Sequence, residues 1–255
     1  MSLFIEFPPI STAEWEAAVR ADLKGRDPGK IMYRAEDAPY LGEQPWPSRP
    51  WEIWAEVSDI AGARRARERG AEGLVVANPT EEWRPVLEGI HLHALAALGD
   101  WAAGLRGTIE GEFVPSGFQR AVSLPPELTI AQQIARVSGG AGEVWIVPVG
   151  PSYFQEIAKF RALRRLCPGI RLVARTFQSN LMRGTTEAMA AIIGGCDALI
   201  VGPSTGGESG ERLALNTQLL LREESYFGQV ADPAGGSWYI ETLTAQLLRN
   251  RSETA

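Results

Sequence analysis

Few side chains in this sequence are of a type and setting suited to chemistry. Glu56 lies near the end of the run EIWAEV, and a carboxylate near the carboxyl end of a buried strand could serve as a general acid or base. His91 and His93 are the two histidines of the chain, and imidazoles titrate near neutral pH. Within IHLHAL they read as ordinary strand residues, one facing inward and one outward. The turn Gly202-Pro203-Ser204-Thr205-Gly206-Gly207 offers backbone amides and hydroxyls to an anion. It lacks the Gly-Lys-Ser or Gly-Lys-Thr of a nucleotide loop and reads as a left-handed, glycine-rich turn. Cys167 and Cys196 stand apart rather than as Cys-x-x-Cys, so neither a disulfide framework nor a metal site is expected.

Composition narrows the classes of function. The 255 residues are 45% hydrophobic, enough for a substantial core, and carry a net charge of -6. That balance opposes a nucleic-acid surface, which needs clustered Lys and Arg. The amino terminus has neither the basic segment nor the apolar run of a signal peptide, and no stretch approaches the ~18 apolar residues of a membrane span. A cytoplasmic protein without nucleic-acid or membrane partners is the expectation.

The elements that must position these residues alternate along the chain. Ser11-Thr12-Ala13-Glu14 has the pattern of a capping box, followed by Trp15, Ala18, Val19 and Leu23 at helical spacing. After Gly25 comes a Pro-rich stretch with Pro39, Pro45, Pro47 and Pro50, so residues 1–50 read as a helix plus an extended arm. From Trp51 onward EIWAEV, GLVVA, IHLHAL, GTIEGEF, FQRAVSL, EVWIVPV, RLVARTF and DALIVG read as strands interleaved with helices. Eight is the number that closes an α/β barrel of the (β/α)8 TIM type. Prolines and glycines between residues 91 and 126 leave a seven-strand or distorted barrel, or a doubly wound open sheet, as alternatives. Phe154, Ile157, Ala158, Phe160, Ala162, Leu163 and Leu166 predict one broad apolar stripe, stopped by Pro168-Gly169.

Three blocks carry a likeness: TTEAMAAIIGG from Thr185, NTQLLLREES from Asn216, and DPAGGSWYIE from Asp232. In this order and spacing they resemble the barrel domain of methylmalonyl-CoA mutases, which use adenosylcobalamin for a radical rearrangement of an acyl-CoA. Arg49-Pro50-Trp51 matches the entry to that family's first barrel strand. The likeness then breaks. Where the family continues with an Arg, a Gln and a catalytic Tyr, this chain has Trp54, Ala55 and Glu56. The family's Gly-Tyr-His histidine has no counterpart between Phe113 and Val144, and the segment after Arg175-Thr176 is short.

The resemblance implies Arg49, Glu56, Arg183, Glu187 and Ala188 as the positions facing substrate or cofactor, with no catalytic residue and no metal ligand. The helix dipole alone also favours Glu187 in a first turn. No Asp-x-His-x-x-Gly cobalt loop occurs in these residues, giving residues 1–50 as arm, 51–255 as barrel, and an absent cobalamin-binding domain. The segment TAEWEAAVRADLKG is similar to the small subunit of two-subunit mutases. The expectation is therefore a non-catalytic small-subunit barrel partnering a larger cobalamin-binding subunit, with adenosylcobalamin in the complex and none bound by this chain alone. Two alternatives stay open: an active half-enzyme working with a separate cobalamin-binding chain, and an acyl-CoA-binding barrel without chemistry.

Overall fold

The computed structural model describes residues 11–24, 50–96, 98–110, 114–137, 143–177 and 180–254. The chain divides into two compact units, Met1–Ala38 and Pro39–Ala255. In the first, α1 (Thr12–Asp22) starts with the predicted capping box. Ser11 Oγ accepts from Glu14 N at 3.2 Å, and the Glu14 carboxylate accepts from Ser11 N at 2.8 Å. The reciprocal bonds satisfy donors that a helix end otherwise leaves open. Most of the proposed arm, including Arg49, lies outside the described residues.

In the second unit eight parallel strands close into a barrel in chain order. They are β1 (Glu52–Glu56), β2 (Gly73–Val76), β3 (His91–Ala94), β4 (Gly107–Glu110), β5 (Phe118–Ser123), β6 (Val144–Val149), β7 (Arg171–Thr176) and β8 (Ala198–Ile200). Every predicted run holds one strand, and the open-sheet and seven-strand alternatives fall. Connecting helices are α2 (Ile60–Glu68), the single turn α3 (Arg84–Leu87), α4 (Ile130–Arg136), α5 (Tyr153–Leu166) and α6 (Leu181–Gly194). After β8 come α7 (Gly207–Leu219), a π-helical turn (Leu220–Glu224) and α8 (Trp238–Thr254). The helix layer is thin early on. Between β3 and β4 the described residues hold one 3-10 turn (Asp100–Ala102), and no described residue between β4 and β5 is helical.

Strand alternation sorts the apolar residues into two cores. Trp51, Ile53, Ala55 and Val57 point outward with Trp145 into the helix layer, whereas Trp54, Val75, Ala121, Val144, Ile146 and Val173 fill the lumen. Such alternation follows from the two-residue period of a strand. Helices α5 and α6 approach closely because Gly194 has no side chain; a Cβ there would stand 2.6 Å from that of Phe160. Gly195, with φ +90°, then ends α6.

The predicted stripe on α5 is buried along most of its length, but Phe154 is exposed and meets Tyr239 of α8 edge-on at 5.5 Å. The opposite face of α5 is buried as well, under α8, and it carries charge. Arg161 is fully buried, pairing with Glu241 at 2.6 Å and with Asp232. Lys159, also fully buried, pairs with Glu156 and donates to Gln133 Oε1 at 2.9 Å and to the Pro148 carbonyl. Burial pulls the Lys159 ammonium below its ordinary pKa, opposed by Glu156 and Glu187. The DPAGGS turn therefore does more than bend the chain, because it delivers Asp232 to Arg161. Ser237 ends the turn, its carbonyl accepting from Glu241 N at 2.8 Å at the head of α8.

Removing one member of a buried pair strands the other without water. Arg161→Leu is expected to lower the unfolding free energy by about 3–5 kcal/mol in urea denaturation followed by circular dichroism. A loss under ~1 kcal/mol would mean that the pair contributes no more than a surface one.

Candidate functional site in the barrel lumen

Contacts between strands that are not neighbours can pass only through the lumen, and they identify which side chains line it. β1 and β7 flank β8, yet Glu52 pairs with Arg171, and Glu56 with Arg175 at 2.8 Å. Glu52, Trp54 and Glu56 therefore face inward from β1, and Arg171, Val173 and Arg175 from β7.

Trp54 occupies the axis between these two ion pairs and is fully buried. Its indole Nε1 donates to Glu52 Oε2 at 3.1 Å. His91 stacks on the ring at 4.6 Å and His93 at 5.7 Å, and the Arg171 guanidinium lies 5.4 Å from the ring centre. These are stacking and cation–π distances. The register places Gly73 of β2 beside Trp54, and a Cβ at Gly73 would come within 2.5 Å of the indole. A bare backbone on one strand thus admits the bulkiest side chain of the next.

The expectation that His91 and His93 face opposite ways is wrong. Residues two apart on a strand share a face, and both rings lie against Trp54. Toward the carboxyl ends of the strands, where barrels build active sites, His93 Nδ1 is 2.8 Å from Thr108 Oγ1 and its Nε2 is 3.2 Å from Glu110 Oε1. Ser123 Oγ donates to the same Glu110 oxygen. Burial raises the Glu110 pKa, but hydrogen bonds from His93 and Ser123 and the charge of Arg175 outweigh it and hold the carboxyl below its usual range. Such a carboxylate stays ionised and is a weak base at neutral pH, where an effective proton carrier has a pKa near the working pH. The site's capacity is electrostatic: an ordered anion beside the Glu56–Arg175 pair.

The other residues implied by resemblance do not join this cluster. Arg183 is exposed in the first turn of α6, its amide capped by Asn180 Oδ1 at 3.3 Å. Glu187 is buried in the helix layer, where its charge acts on Lys159 of α5, and Ala188 is wholly buried. The residues that do converge, His93, Thr108, Glu110, Ser123 and Arg175, were missed as a group. The paired histidines at strand spacing were the one signal available. The cysteines are free and buried, with burial pushing the Cys196 thiol up, and no metal-binding group of three or more His, Cys, Asp or Glu occurs among the described residues. No described helix is long and apolar enough to cross a membrane.

Two outcomes follow. Gly73→Ala should cost about 1–3 kcal/mol through overpacking, and most of that cost should vanish in a Trp54→Ala background; equal costs in both, measured by urea unfolding, would mean that the two residues do not compete for space. Burial and the charge of Arg171 depress His91 to about 4 from 6.5, with Glu52 opposing and His93 and Arg106 assisting. The unfolded chain takes up a proton below pH 6.5 that the folded chain resists, so the stability is whole above pH 6.5 and is lost as pH falls through 4. Between about pH 7.5 and 5 this group alone should weaken the fold by on the order of 1–2 kcal/mol, and His91→Gln should remove that part of the slope. An unchanged slope would place the sensitivity elsewhere.

Comparison with known proteins finds partial likenesses, strongest in the carboxyl-terminal segment. Residues 167–254 match the sequence model of methylmalonyl-CoA mutase. A methylmalonyl-CoA mutase small subunit from Porphyromonas gingivalis is 39% identical, over 38% of this chain and 20% of that one. A probable methylmalonyl-CoA mutase small subunit from Mycobacterium tuberculosis is 31% identical, over 62% of this chain and 33% of that one. The 2-hydroxyisobutanoyl-CoA mutase large subunit of Aquincola tertiaricarbonis is 33% identical, over 37% and 22%. The chain thus spans a third or less of the length of these relatives. In its matched carboxyl-terminal segment and in these relatives, the chain is similar to methylmalonyl-CoA mutases, and among them to small subunits.

Proposed function

We propose that this chain is a non-catalytic, cytoplasmic small-subunit barrel that pairs with and stabilises a larger cobalamin-binding subunit in an acyl-CoA mutase, the complex isomerising methylmalonyl-CoA and succinyl-CoA. The observation that carries the reading is Trp54. Its indole fills the axis at the level where a substrate would have to pass. The ionised Glu110 and the paired Glu56 supply order rather than a proton carrier. The small-subunit names of the relatives add a partner to this reading.

The residues do not fit a cobalamin held by this chain alone. Glu187 and Ala188, the positions that resemblance sets against the corrin ring, are 2% and 0% exposed and are engaged in helix packing. Adenosylcobalamin therefore belongs to the partner in this reading. The two alternatives, an active half-enzyme and an acyl-CoA-binding barrel, both require an axis that Trp54 closes.

Incubated with adenosylcobalamin and methylmalonyl-CoA, the isolated chain should form no succinyl-CoA. Co-expression with a larger mutase subunit from the same cell should give co-elution in gel filtration and a longer-lived activity than the large subunit shows alone. Turnover by the isolated chain would overturn the non-catalytic role; separate elution would remove the partnership.

A further inference from the structure

The amino-terminal mouth of the barrel, opposite the end where such folds carry their chemistry, opens into a cleft of about 530 Å³. That is within the range of small-ligand pockets, roughly 300–1,000 Å³. His91 and Arg171, which line the cleft, lie directly against the Trp54 indole.

The charge of the cleft is unevenly spent. Of its two carboxylates, Glu52 accepts from Trp54 Nε1 and pairs with Arg171, while Glu72 accepts from Ile53 N at 3.0 Å and pairs with Arg222 at 2.7 Å. Both acids are occupied. Arg106 is exposed at the rim, and among the described residues its guanidinium meets no carboxylate. Gln119 is exposed beside it in the lining. Two buried nitrogens of the lining, His91 Nε2 and Arg171 Nε, have no hydrogen-bond partner, and buried polar atoms are rarely left so without cause. Part of the wall is glycine: at Gly107 a Cβ would stand 1.8 Å from the Leu92 carbonyl, so that stretch stays free of side chains. A surplus of donors and one unneutralised positive charge in this cleft select an anion whose oxygens accept several hydrogen bonds.

We propose that this mouth is a binding site for a small oxyanion, a carboxylate or a phosphate, held by Arg106 and Gln119 over His91 and Arg171. The site stands independently of the subunit role, since it uses no residue assigned to a partner or to cobalamin.

Isothermal titration of the whole chain at low ionic strength near neutral pH, with inorganic phosphate in one series and glutarate in another, tests it. Saturable one-site binding is expected in at least one series, and which series responds identifies the source of the oxyanion. Arg106→Ala should weaken that binding about tenfold or more, and Gln119→Glu should abolish it by placing a like charge in the cleft. Both positions are exposed, so unliganded melting temperatures should match the parent and exclude misfolding. Arg136→Ala, an exposed cation on α4, should leave affinity unchanged. No saturable heat in either series, or affinity untouched by Arg106→Ala and Gln119→Glu, would overturn the proposal.

Discussion

The fit of Trp54 against Gly73 governs the interior of this barrel. A ring of eight parallel strands encloses a space that side chains must fill, because interiors pack at nearly crystalline density and voids are costly. Here much of that filling falls to one indole, admitted by the absence of a side chain on the neighbouring strand. The stacked histidines and the Arg171 guanidinium take their positions from it, as does Glu52, which accepts its N–H. Polar groups that would be costly in an apolar lumen are tolerated because each gains a partner of the right sign or shape.

A second set of charges holds the outer layer. Arg161 and Lys159 project from α5 into a fully buried region, against carboxylates from α5, the DPAGGS turn and α8. Pairs of this kind yield little net stability compared with apolar packing but are strict about geometry. The turn and α8 are therefore fixed to α5 by groups that cannot be left alone. The sequence block that carries the resemblance, DPAGGSWYIE, thus has a structural basis in Asp232 and Glu241.

Most of the fold could be read from the residues. Each strand announced itself as a short run of β-branched and aromatic residues between glycines and prolines, and the late helices showed their stripe and their glycine stops. The thin helix layer around β3 to β5 was harder to see, because single turns leave no periodicity. The lumen was harder still. Glu110, Ser123 and His93 are brought together by the stagger of three strands, and nothing in a linear pattern states that stagger. The two histidines share the inward face because the side-chain period of a strand is two residues. Phe154 has the spacing of the α5 core stripe yet packs on Tyr239, a contact that depends on where α8 returns.

The paired rungs between β1 and β7 have a consequence for how the ring closes. Glu52 and Glu56 are four residues apart, as are Arg171 and Arg175, and the two bridges cross over β8 below and above the indole. Sliding β1 by two residues against β7 would keep every side chain on its proper face, so hydrophobic sorting alone would not reject it. The bridges would. A slipped seam would leave a carboxylate and a guanidinium stranded at opposite rims, so the charges act as a proofreading ruler for the shear at which the last strand seals the cylinder.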